Sequence, residues 1–301
     1  MSAVDVRIYE VGPRDGLQAE STVVATADKL RFIELLVAAG LREIEATSFV
    51  SPKAIPQLAD AEGLMAGLDR QPGVRYPVLV PNARGLERAV GAQVDAICLF
   101  TAATESYVQH NIGMGIEESL ATFEPIAAEA RRRGWWLRAY VSTAFGCPYE
   151  GEVDAAAVVR VSERLLAMGV DELSVSDTVG VAAPADVERV LGALRAEGIG
   201  PDVIALHFHD TRGTALANVM AALGRGITAF DASTGGTGGS PFAPGAAGNL
   251  ATEDLVYLLD RQGLRHGVDL AALLEAGRFI GQALGRPEPV SKVGRAGGWP
   301  G

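Results

Sequence analysis

The chain has 301 residues, of which 48% are hydrophobic and 21% are charged, and its mean hydropathy is +0.18. This composition excludes an intrinsically disordered chain, and the length suffices for one large hydrophobic core or two smaller ones. The net charge of −11 and an isoelectric point near 4.9 disfavour a broad electrostatic surface for nucleic acid or for an anionic membrane. We therefore expect a small-molecule partner, with no nucleic acid and no membrane.

Neither a targeting segment nor a disulfide framework is evident. Met1–Glu10 lacks the basic and apolar regions of a secretory signal, and no later stretch of about 18 residues is free of charges and helix breakers. We expect a cytoplasmic protein. Two cysteines, Cys98 and Cys147, cannot form a disulfide framework or a CxxC motif, so both are expected to be reduced.

Short β-rich runs recur along the chain and alternate with segments of helical periodicity. The eight predicted strands are residues 4–11, 43–47, 76–80, 95–100, 137–142, 172–176, 203–209 and 228–233. The first predicted helix, residues 28–39, is expected to turn Ile33 and Leu36 to the core and Lys29 to solvent. Further helices are predicted over residues 116–133, 154–168, 185–195 and 215–223.

Eight alternations of strand and helix predict a (β/α)8 TIM barrel of the α/β class, because parallel strands need crossover helices and eight of them close the sheet. A doubly wound open sheet is the alternative. It would normally carry a glycine-rich phosphate loop after its first strand, whereas residues 12–16 read Gly-Pro-Arg-Asp-Gly. We expect one catalytic domain over residues 1–301, with extra carboxyl-terminal helices at 250–260 and 270–284 and a partly flexible tail from about 285.

Function in such a barrel lies at the carboxyl ends of the strands, and polar residues concentrate at those positions. They are Arg14 and Asp15 after the first strand, Glu45, Thr47 and Ser48 on the second, Asn82 after the third, Ser142 after the fifth, Asp177 and Thr178 after the sixth, His207 and His209 on the seventh, and Asn249 beyond the eighth.

The two histidines are the sharpest chemical feature. Residues i and i+2 of a strand point to the same face, so His207 and His209 are expected to project together and, with a carboxylate such as Asp15, to bind a divalent ion. The alternative is one histidine in the core and one in solvent. Arg14 and Asp15 could likewise form only a structural ion pair, but Glu45 on the next strand could orient Arg14 towards a developing oxyanion.

Other chemistries are disfavoured by what is missing. Lys29, Lys53 and Lys292 are the only lysines, and none ends a predicted strand, which disfavours a Schiff-base aldolase. The sequence also contains no GxSxG, P-loop or HExxH motif. The glycine-rich loop around Ser240 can be interpreted either as a phosphate cradle or as a lid over the site.

Six segments, in order from the first strand to beyond the eighth, resemble the 3-hydroxy-3-methylglutaryl-CoA (HMG-CoA) lyase family, within the DRE-TIM-type metal-dependent lyases and aldolases. They are Glu10–Gln18, Glu45–Lys53, Gly146–Gly151, Ser176–Gly180, His207–Thr211 and Gly248–Leu255. The resemblance therefore covers nearly the whole chain, and it implies a (β/α)8 barrel that breaks a carbon–carbon bond next to a carboxylate.

The resemblance also implies roles for individual residues. Mg2+ or Mn2+ would be bound by Asp15, His207, His209 and Asn249, and Asp15 would help to deprotonate the substrate hydroxyl. Arg14 would stabilise the enolate oxygen and Glu45 would position Arg14. The expected substrate contacts are Gln18, Ser48, Asn111, Tyr140 and Thr178. A homodimer is expected from the apolar closing helices.

Two positions depart from the family. The family loop reads GGCPY and its cysteine protonates the enolate carbon, whereas Ser240 occupies that position here. A thiol titrates near pH 8.5, whereas a serine alkoxide is inaccessible near neutrality without another base or the metal. Relatives also usually carry lysines before Asn111, where this chain has Gln109 and His110.

The sequence therefore favours a divalent-metal lyase that performs retro-Claisen cleavage of HMG-CoA or a related 3-hydroxyacyl-CoA, giving an acyl-CoA and a keto acid. Two alternatives remain open. One is a metal-dependent aldolase acting on a 4-hydroxy-2-oxo acid, which would release pyruvate. The other is a non-catalytic ligand-binding homologue, which the Ser240 replacement favours and the retained Arg14 and Asp15 disfavour.

Overall fold

The computed structural model describes residues 5–238, 248–286 and 288–297. Its backbone contacts divide the chain into two compact units. The first unit combines residues 1–78 with residues 229–301, and the second unit comprises residues 79–228.

Strands and helices alternate through the described residues. In chain order they are β1 Arg7–Glu10, α1 Thr26–Ala38, β2 Glu43–Ile44, β3 Thr47–Ser48, α2 Ala61–Gly67, β4 Val78–Leu79, α3 Ala83–Gly91, β5 Ala96–Ala102, α4 Glu105–Ile112, α5 Ile116–Arg133, β6 Trp136–Ser142, α6 Ala155–Ala167, β7 Glu172–Asp177, α7 Pro184–Ala196, β8 Ile204–Phe208, α8 Ala215–Leu223, β9 Ala229–Ala232, α9 Thr252–Arg261, α10 Leu270–Ala283 and α11 Lys292–Arg295. The predicted α/β class is confirmed by this alternation.

In the second unit, β5 to β8 pair in sequence order and every pair is parallel. The register aligns Ala102 with Ser142 at the ends of β5 and β6, and Ser176 with His207 on β7 and β8. β7 and β8 are buried along their whole length, as expected of parallel strands that are covered on both faces. This register brings the carboxyl ends of neighbouring strands to one edge of the sheet.

In the first unit, β1 pairs in parallel with β2 on one side and with β9 on the other. Glu10, the last residue of β1, is aligned with Ile44 of β2 and with Ala232 of β9. The turn that follows β1 therefore begins between the ends of two neighbouring strands, which is where this unit carries its polar side chains.

The strands are shorter than predicted in several places. The predicted strand at residues 43–47 is divided into β2 and β3. The backbone between them still pairs on both sides, since the amide of Glu45 donates to the carbonyl of Glu10 and the amide of Ala46 to the carbonyl of Pro77. The predicted strand at residues 203–209 ends at Phe208, so His209 lies just beyond β8.

The expected solvent exposure of Lys29 is wrong. Phe32, Ile33 and Leu36 of α1 form the buried face, but the Lys29 side chain is also buried. Its ammonium group donates to the carbonyl of Gln57 at 2.5 Å and to the Asp60 carboxylate at 2.7 Å. A buried lysine is tolerated when its charge is paired and its donors are used. The helical periodicity does not predict this burial, because the partner Asp60 lies 31 residues further along the chain.

Helices α9 Thr252–Arg261 and α10 Leu270–Ala283 lie where the sequence predicts helices at residues 250–260 and 270–284, with bounds within two residues at each end. Beyond them, the short helix α11 is capped by the Ser291 hydroxyl and is held by Asp254, whose carboxylate accepts the backbone amides of Lys292 and Val293. The part of the tail that the structure describes is therefore attached to α9.

Candidate active site

The turn directly after β1 presents the charged pair Arg14 and Asp15. Residues Gly12–Gly16 form one wide turn in which the amide of Gly16 bonds to the carbonyl of Val11 at 3.1 Å. The Glu10 carboxylate accepts the amide of Gly12 at 2.8 Å and therefore fixes the start of the turn. Pro13 fixes its own φ angle and so favours one backbone path through the turn. A single turn with a hydrogen bond between residues i and i+5 is a π-helical turn, a type that is frequent at functional sites.

Arg14 is held by two carboxylates. Its Nε and one terminal nitrogen donate to the two carboxylate oxygens of Glu45, at 2.9 and 3.1 Å, and its other terminal nitrogen donates to Asp15 at 2.6 Å. The Arg14 side chain is 7% exposed and that of Glu45 is fully buried. A planar guanidinium in a two-pronged ion pair keeps one orientation, so the predicted pairing of Arg14 with Glu45 is confirmed.

Asn249 joins this group through Asp15. The Asn249 amide nitrogen donates to Asp15 at 2.9 Å and to the carbonyl of Thr237 at 3.3 Å. The amide oxygen of Asn249 is buried and has no hydrogen-bond partner among the described residues. An unsatisfied buried carbonyl oxygen is costly unless a ligand completes it, and a carboxylate beside an amide oxygen suits a divalent cation.

The second unit carries the two histidines at the carboxyl end of β8. Their ring centroids are 5.2 Å apart and both side chains are buried, so the expected projection to a common side is confirmed. The Tyr140 ring lies perpendicular to the His207 ring, with the ring centroids 6.4 Å apart. The Tyr140 hydroxyl accepts a hydrogen bond from Arg138, which is itself buried and paired with Glu172 at 3.0 Å.

Asp177 and Thr178 follow β7 and organise the neighbouring loops. The Asp177 carboxylate accepts the amides of Val181 and Ala182, each at 3.0 Å, and burial raises its pKa above the usual range. The Thr178 hydroxyl accepts the amide of Thr143 at 3.1 Å. Thr143 has φ of +53°, a strained conformation for a β-branched residue, so Thr178 supports an unfavourable backbone at the end of β6.

The remaining predicted site residues differ in their surroundings. Ser48 is buried at the end of β3, where its hydroxyl accepts the amide of Val50, and Gln18 is half-buried. Asn111 lies exposed near the end of α4, and His110 beside it stacks on Tyr149 with centroids 4.1 Å apart. Ser240 lies outside the described residues.

The two thiols are free cysteines, as expected, and both are buried. Cys98 belongs to the core on β5. The Cys147 thiol accepts a hydrogen bond from the Thr104 hydroxyl at 3.2 Å.

Three buried carboxylates were not predicted from the sequence. Glu10 accepts the Thr234 amide and the hydroxyls of Thr234 and Thr252, and burial raises its pKa. Glu253 accepts the Gly235 amide, and burial raises its pKa to about 8. Glu20 accepts the Gly238 amide. Glu10 and Glu253 lie within the motifs that carried the family resemblance. Only the fold shows that all three acids accept backbone amides of residues 234–238, the described part of the glycine-rich segment.

Comparison with known proteins identifies the family. The family model described as HMGL-like matches residues 5–280. The chain is 50% identical to hydroxymethylglutaryl-CoA lyase YngG of Bacillus subtilis, over 94% of this chain and 95% of that protein. It is 49% identical to the cytoplasmic 3-hydroxy-3-methylglutaryl-CoA lyase of Rattus norvegicus, over 97% of this chain and 84% of that protein.

A solved structure supports membership of the same family. The crystal structure of the Bacillus subtilis HMG-CoA lyase superposes with a TM-score of 0.95 at 48% identity, covering 98% of each chain. The fold is thus an α/β, TIM-barrel-like fold, and the doubly wound alternative is wrong.

The fold and the family match together define a lyase with a TIM-barrel-like fold. The chain belongs to the HMGL-like family, and it is a homologue of the HMG-CoA lyases, whose activity depends on a divalent metal. Within the described residues, no helix is both long enough and apolar enough to cross a membrane.

Proposed function

We propose that this protein is a divalent-metal-dependent carbon–carbon lyase that cleaves HMG-CoA, or a closely related 3-hydroxyacyl-CoA, to an acyl-CoA and a keto acid. The observation that carries the proposal is the connected group of Glu45, Arg14, Asp15 and Asn249, in which a buried guanidinium and an unsatisfied amide oxygen adjoin one carboxylate. Membership of the HMGL-like family supports the same chemistry.

The proposed metal ligands are Asp15, Asn249, His207 and His209, and the proposed ion is Mg2+ or Mn2+. The donors fit, because carboxylate and amide oxygens with neutral imidazoles suit such an ion. When bound, the ion would supply Lewis-acid polarisation of the substrate oxygens.

The chain's own residues account for the remaining steps of the cleavage. Asp15 accepts the proton of the tertiary hydroxyl, the C–O bond becomes a ketone, and the electron pair of the breaking carbon–carbon bond passes to the thioester as an enolate. Arg14 donates hydrogen bonds to the enolate oxygen, and Glu45 keeps the guanidinium in the orientation that this requires. The enolate carbon then takes up one proton, which completes the acyl-CoA product.

We assign the delivery of that last proton to the loop position occupied by Ser240. The hydroxyl would relay a proton or hold a water molecule, because it does not ionise near neutrality as a thiol does. The departure from cysteine at this position makes proton delivery the slowest step that we expect in this enzyme.

The proposed substrate contacts are those expected from the sequence: Gln18, Ser48, Asn111, Tyr140 and Thr178. A solved HMG-CoA lyase that is 39% identical to this chain, with a TM-score of 0.92 and 99% of this chain covered, is described in complex with coenzyme A and 3-methylmalate. That complex supports an acyl-CoA substrate. The exposed Asn111, beside the stacked rings of His110 and Tyr149, is proposed to contact the carrier.

Three further expectations stand as part of the proposal. We propose one catalytic domain, because the family model runs without interruption from residue 5 to residue 280 and so spans both units. A cytoplasmic location and a homodimer also remain predictions.

Substitution of Ser240 by cysteine is the experiment that tests the function. Purified protein is incubated with HMG-CoA and either Mg2+ or Mn2+, and acetyl-CoA and acetoacetate are measured for the parent and for Ser240→Cys. We expect cleavage by the parent and a rate at least about tenfold higher in the variant, because a positioned thiol is the better acid. Ala121→Cys, on an exposed position of α5, is the control for an added thiol.

The outcomes separate the candidate functions. Release of pyruvate from a 4-hydroxy-2-oxo acid, with no acetyl-CoA from HMG-CoA, would favour the aldolase. Metal-dependent ligand binding without any product, in both the parent and Ser240→Cys, would favour the non-catalytic homologue and contradict the proposal.

A further inference from the structure

Glu20 is a buried carboxylate that bonds to the glycine-rich segment of the first unit. It is 3% exposed and lies four residues after the turn that carries Arg14 and Asp15. One carboxylate oxygen accepts the amide of Gly238 at 2.9 Å, and the other is paired with Arg286. The Arg286 side chain is partly exposed, so it neutralises the buried acid without being buried itself.

The amide that Glu20 binds belongs to the same peptide unit as the carbonyl of Thr237. That carbonyl accepts the Asn249 amide nitrogen at 3.3 Å and the Ser233 hydroxyl at 2.9 Å. Since a trans peptide unit is planar and its N–H and C=O point in opposite directions, a group that fixes the Gly238 amide also fixes the direction of the Thr237 carbonyl.

The Thr237 carbonyl in turn sets the orientation of the Asn249 side chain. The two amide protons of Asn249 are used by Asp15 and by Thr237. A flipped amide would place its oxygen against two other oxygens, so the hydrogen bonds select one orientation. In that orientation the amide oxygen is the atom left for the metal.

Close packing makes this arrangement sensitive to small displacements. Gly238 has φ of +88°, and a Cβ added to it would lie 2.8 Å from the Asn249 amide nitrogen and 3.2 Å from the Cα of Gly16. The backbone at Gly238 therefore lies directly against the proposed ligand. Only a glycine adopts this backbone conformation without strain. A shift of the backbone at Gly238 would therefore move the side-chain amide of Asn249.

We propose that Glu20, held by Arg286, is a positioning residue for the metal ligand Asn249. It acts through the peptide unit between Thr237 and Gly238, and it touches neither the metal nor the substrate. The inference rests on the proposed function, because it assumes that Asn249 binds the divalent ion.

The affinity for Mn2+ alone tests this role without any turnover. It is measured by titrating chelator-treated protein with Mn2+ and detecting the free Mn2+ by electron paramagnetic resonance. We expect Glu20→Ala to weaken binding by about 10- to 100-fold, which is typical when a group that orients a ligand is removed. Arg286→Ala is expected to weaken it in the same direction but less, because the carboxylate remains. Where Glu20→Ala does not fold, Glu20→Gln is measured in its place. It keeps an oxygen for the Gly238 amide but loses the ion pair with Arg286, so a loss of affinity similar to that of Arg286→Ala is expected.

A matched control distinguishes positioning from general loosening of the first unit. Asp60→Ala removes the partner of buried Lys29 in the same unit, and Asp60 itself bonds to Thr26 and Lys29 and to none of Glu20, Gly238 and Asn249. It is expected to lower stability and to leave Mn2+ affinity unchanged. In a second control, Glu20→Ala is added to Asn249→Ala and should cause no further loss, since residues that act through one contact are not additive.

The results overturn the inference in two recognisable ways. If Asn249→Ala weakens Mn2+ binding but Glu20→Ala behaves like Asp60→Ala, Glu20 has no positioning role and the proposed function stands. If Asn249→Ala leaves Mn2+ affinity unchanged, Asn249 is not a ligand, and the inference fails together with that part of the proposed function.

Discussion

Arg14 illustrates how much of this site depends on one side chain. Three of its nitrogens donate to carboxylates of Glu45 and Asp15, and the side chain is almost completely buried. Two negative groups around one cation leave the local charge at −1. A divalent cation beside Asp15 would change that local charge to +1, so the carboxylates of Glu45 and Asp15 are needed to offset the repulsion between the ion and the guanidinium.

Arg14→Met removes the guanidinium while keeping a side chain of similar length. We expect turnover to fall by about 100- to 1,000-fold, the usual cost of losing a donor to a developing oxyanion, while Mn2+ remains bound to the other ligands. Steady-state rates and Mn2+ titration check the two halves of this prediction. Arg31→Met, on the exposed face of α1, is the control, and a retained rate in Arg14→Met would remove Arg14 from the mechanism.

At the scale of single residues, the sequence predicts those whose role follows from local spacing or from a family motif. The pair Arg14 and Glu45 and the two histidines are of this kind. Glu20 is of another kind, because its partner, the Gly238 amide, is 218 positions away and is a backbone group. A hydrogen bond to a backbone amide leaves no trace in the partner's residue type, so only the fold can disclose it.

At the scale of elements, two turns of the first unit pack together without room for a side chain. Gly16 ends the turn after β1, and a Cβ added to it would lie 2.7 Å from the Ser233 hydroxyl and would collide with the Thr237 hydroxyl. Those two hydroxyls are themselves hydrogen-bonded at 2.6 Å. The glycine thus permits the turn that carries Arg14 to lie against the segment that follows β9.

Gly16→Ala is therefore expected to destabilise the protein by about 1–3 kcal/mol, the usual cost of an overpacked site. Gly63→Ala is the matched control, because Gly63 lies within α2 and a Cβ added there meets nothing within 4 Å. It should stabilise the protein by about 0.4–1 kcal/mol through helix propensity and reduced freedom of the unfolded chain. Urea unfolding measures both, and equal stabilities for the two variants would refute the close packing.

The elements themselves were predictable where the hydrophobic pattern is long and regular. The strands β5 to β8 and the helices α5, α6 and α10 lie close to their predicted ranges. The second predicted strand, residues 43–47, is less accurate, because the structure confines the strands there to Glu43–Ile44 and Thr47–Ser48. The pairing of strands depends on which neighbours the fold supplies, and no local pattern encodes it.

At the scale of the whole molecule, the excess of negative charge is accompanied by acids that are buried. The net charge is −11, yet Glu10 and Glu253 are almost inaccessible and lie close enough for each charge to disfavour the other. Burial is the main reason that the pKa of Glu253 rises to about 8 from its ordinary 4.5. Part of the acidity that composition assigns to the chain is therefore absent near neutrality in the folded state.

The raised pKa of Glu253 predicts a pH-dependent stability of definite sign. The folded state binds this proton more tightly than the unfolded state, so the stabilisation is complete below about pH 4.5 and is lost as the pH rises through about 8. The slope for one group reaches at most about 1.4 kcal/mol per pH unit. Glu253→Gln keeps an oxygen for the Gly235 amide and cannot ionise, so its stability relative to the parent should increase between pH 5 and pH 9.

Urea unfolding of the parent and Glu253→Gln at several pH values in this range measures that increase. Glu129→Gln is the control, because Glu129 is only half-buried and hydrogen bonds from Arg132 and Arg133 lower its pKa to about 2. Glu129 therefore stays ionised throughout, and its variant should differ from the parent by a constant amount. A constant difference for Glu253→Gln as well would mean that Glu253 is ionised in the folded protein, and that the Gly235 amide and its surroundings stabilise the charge despite burial.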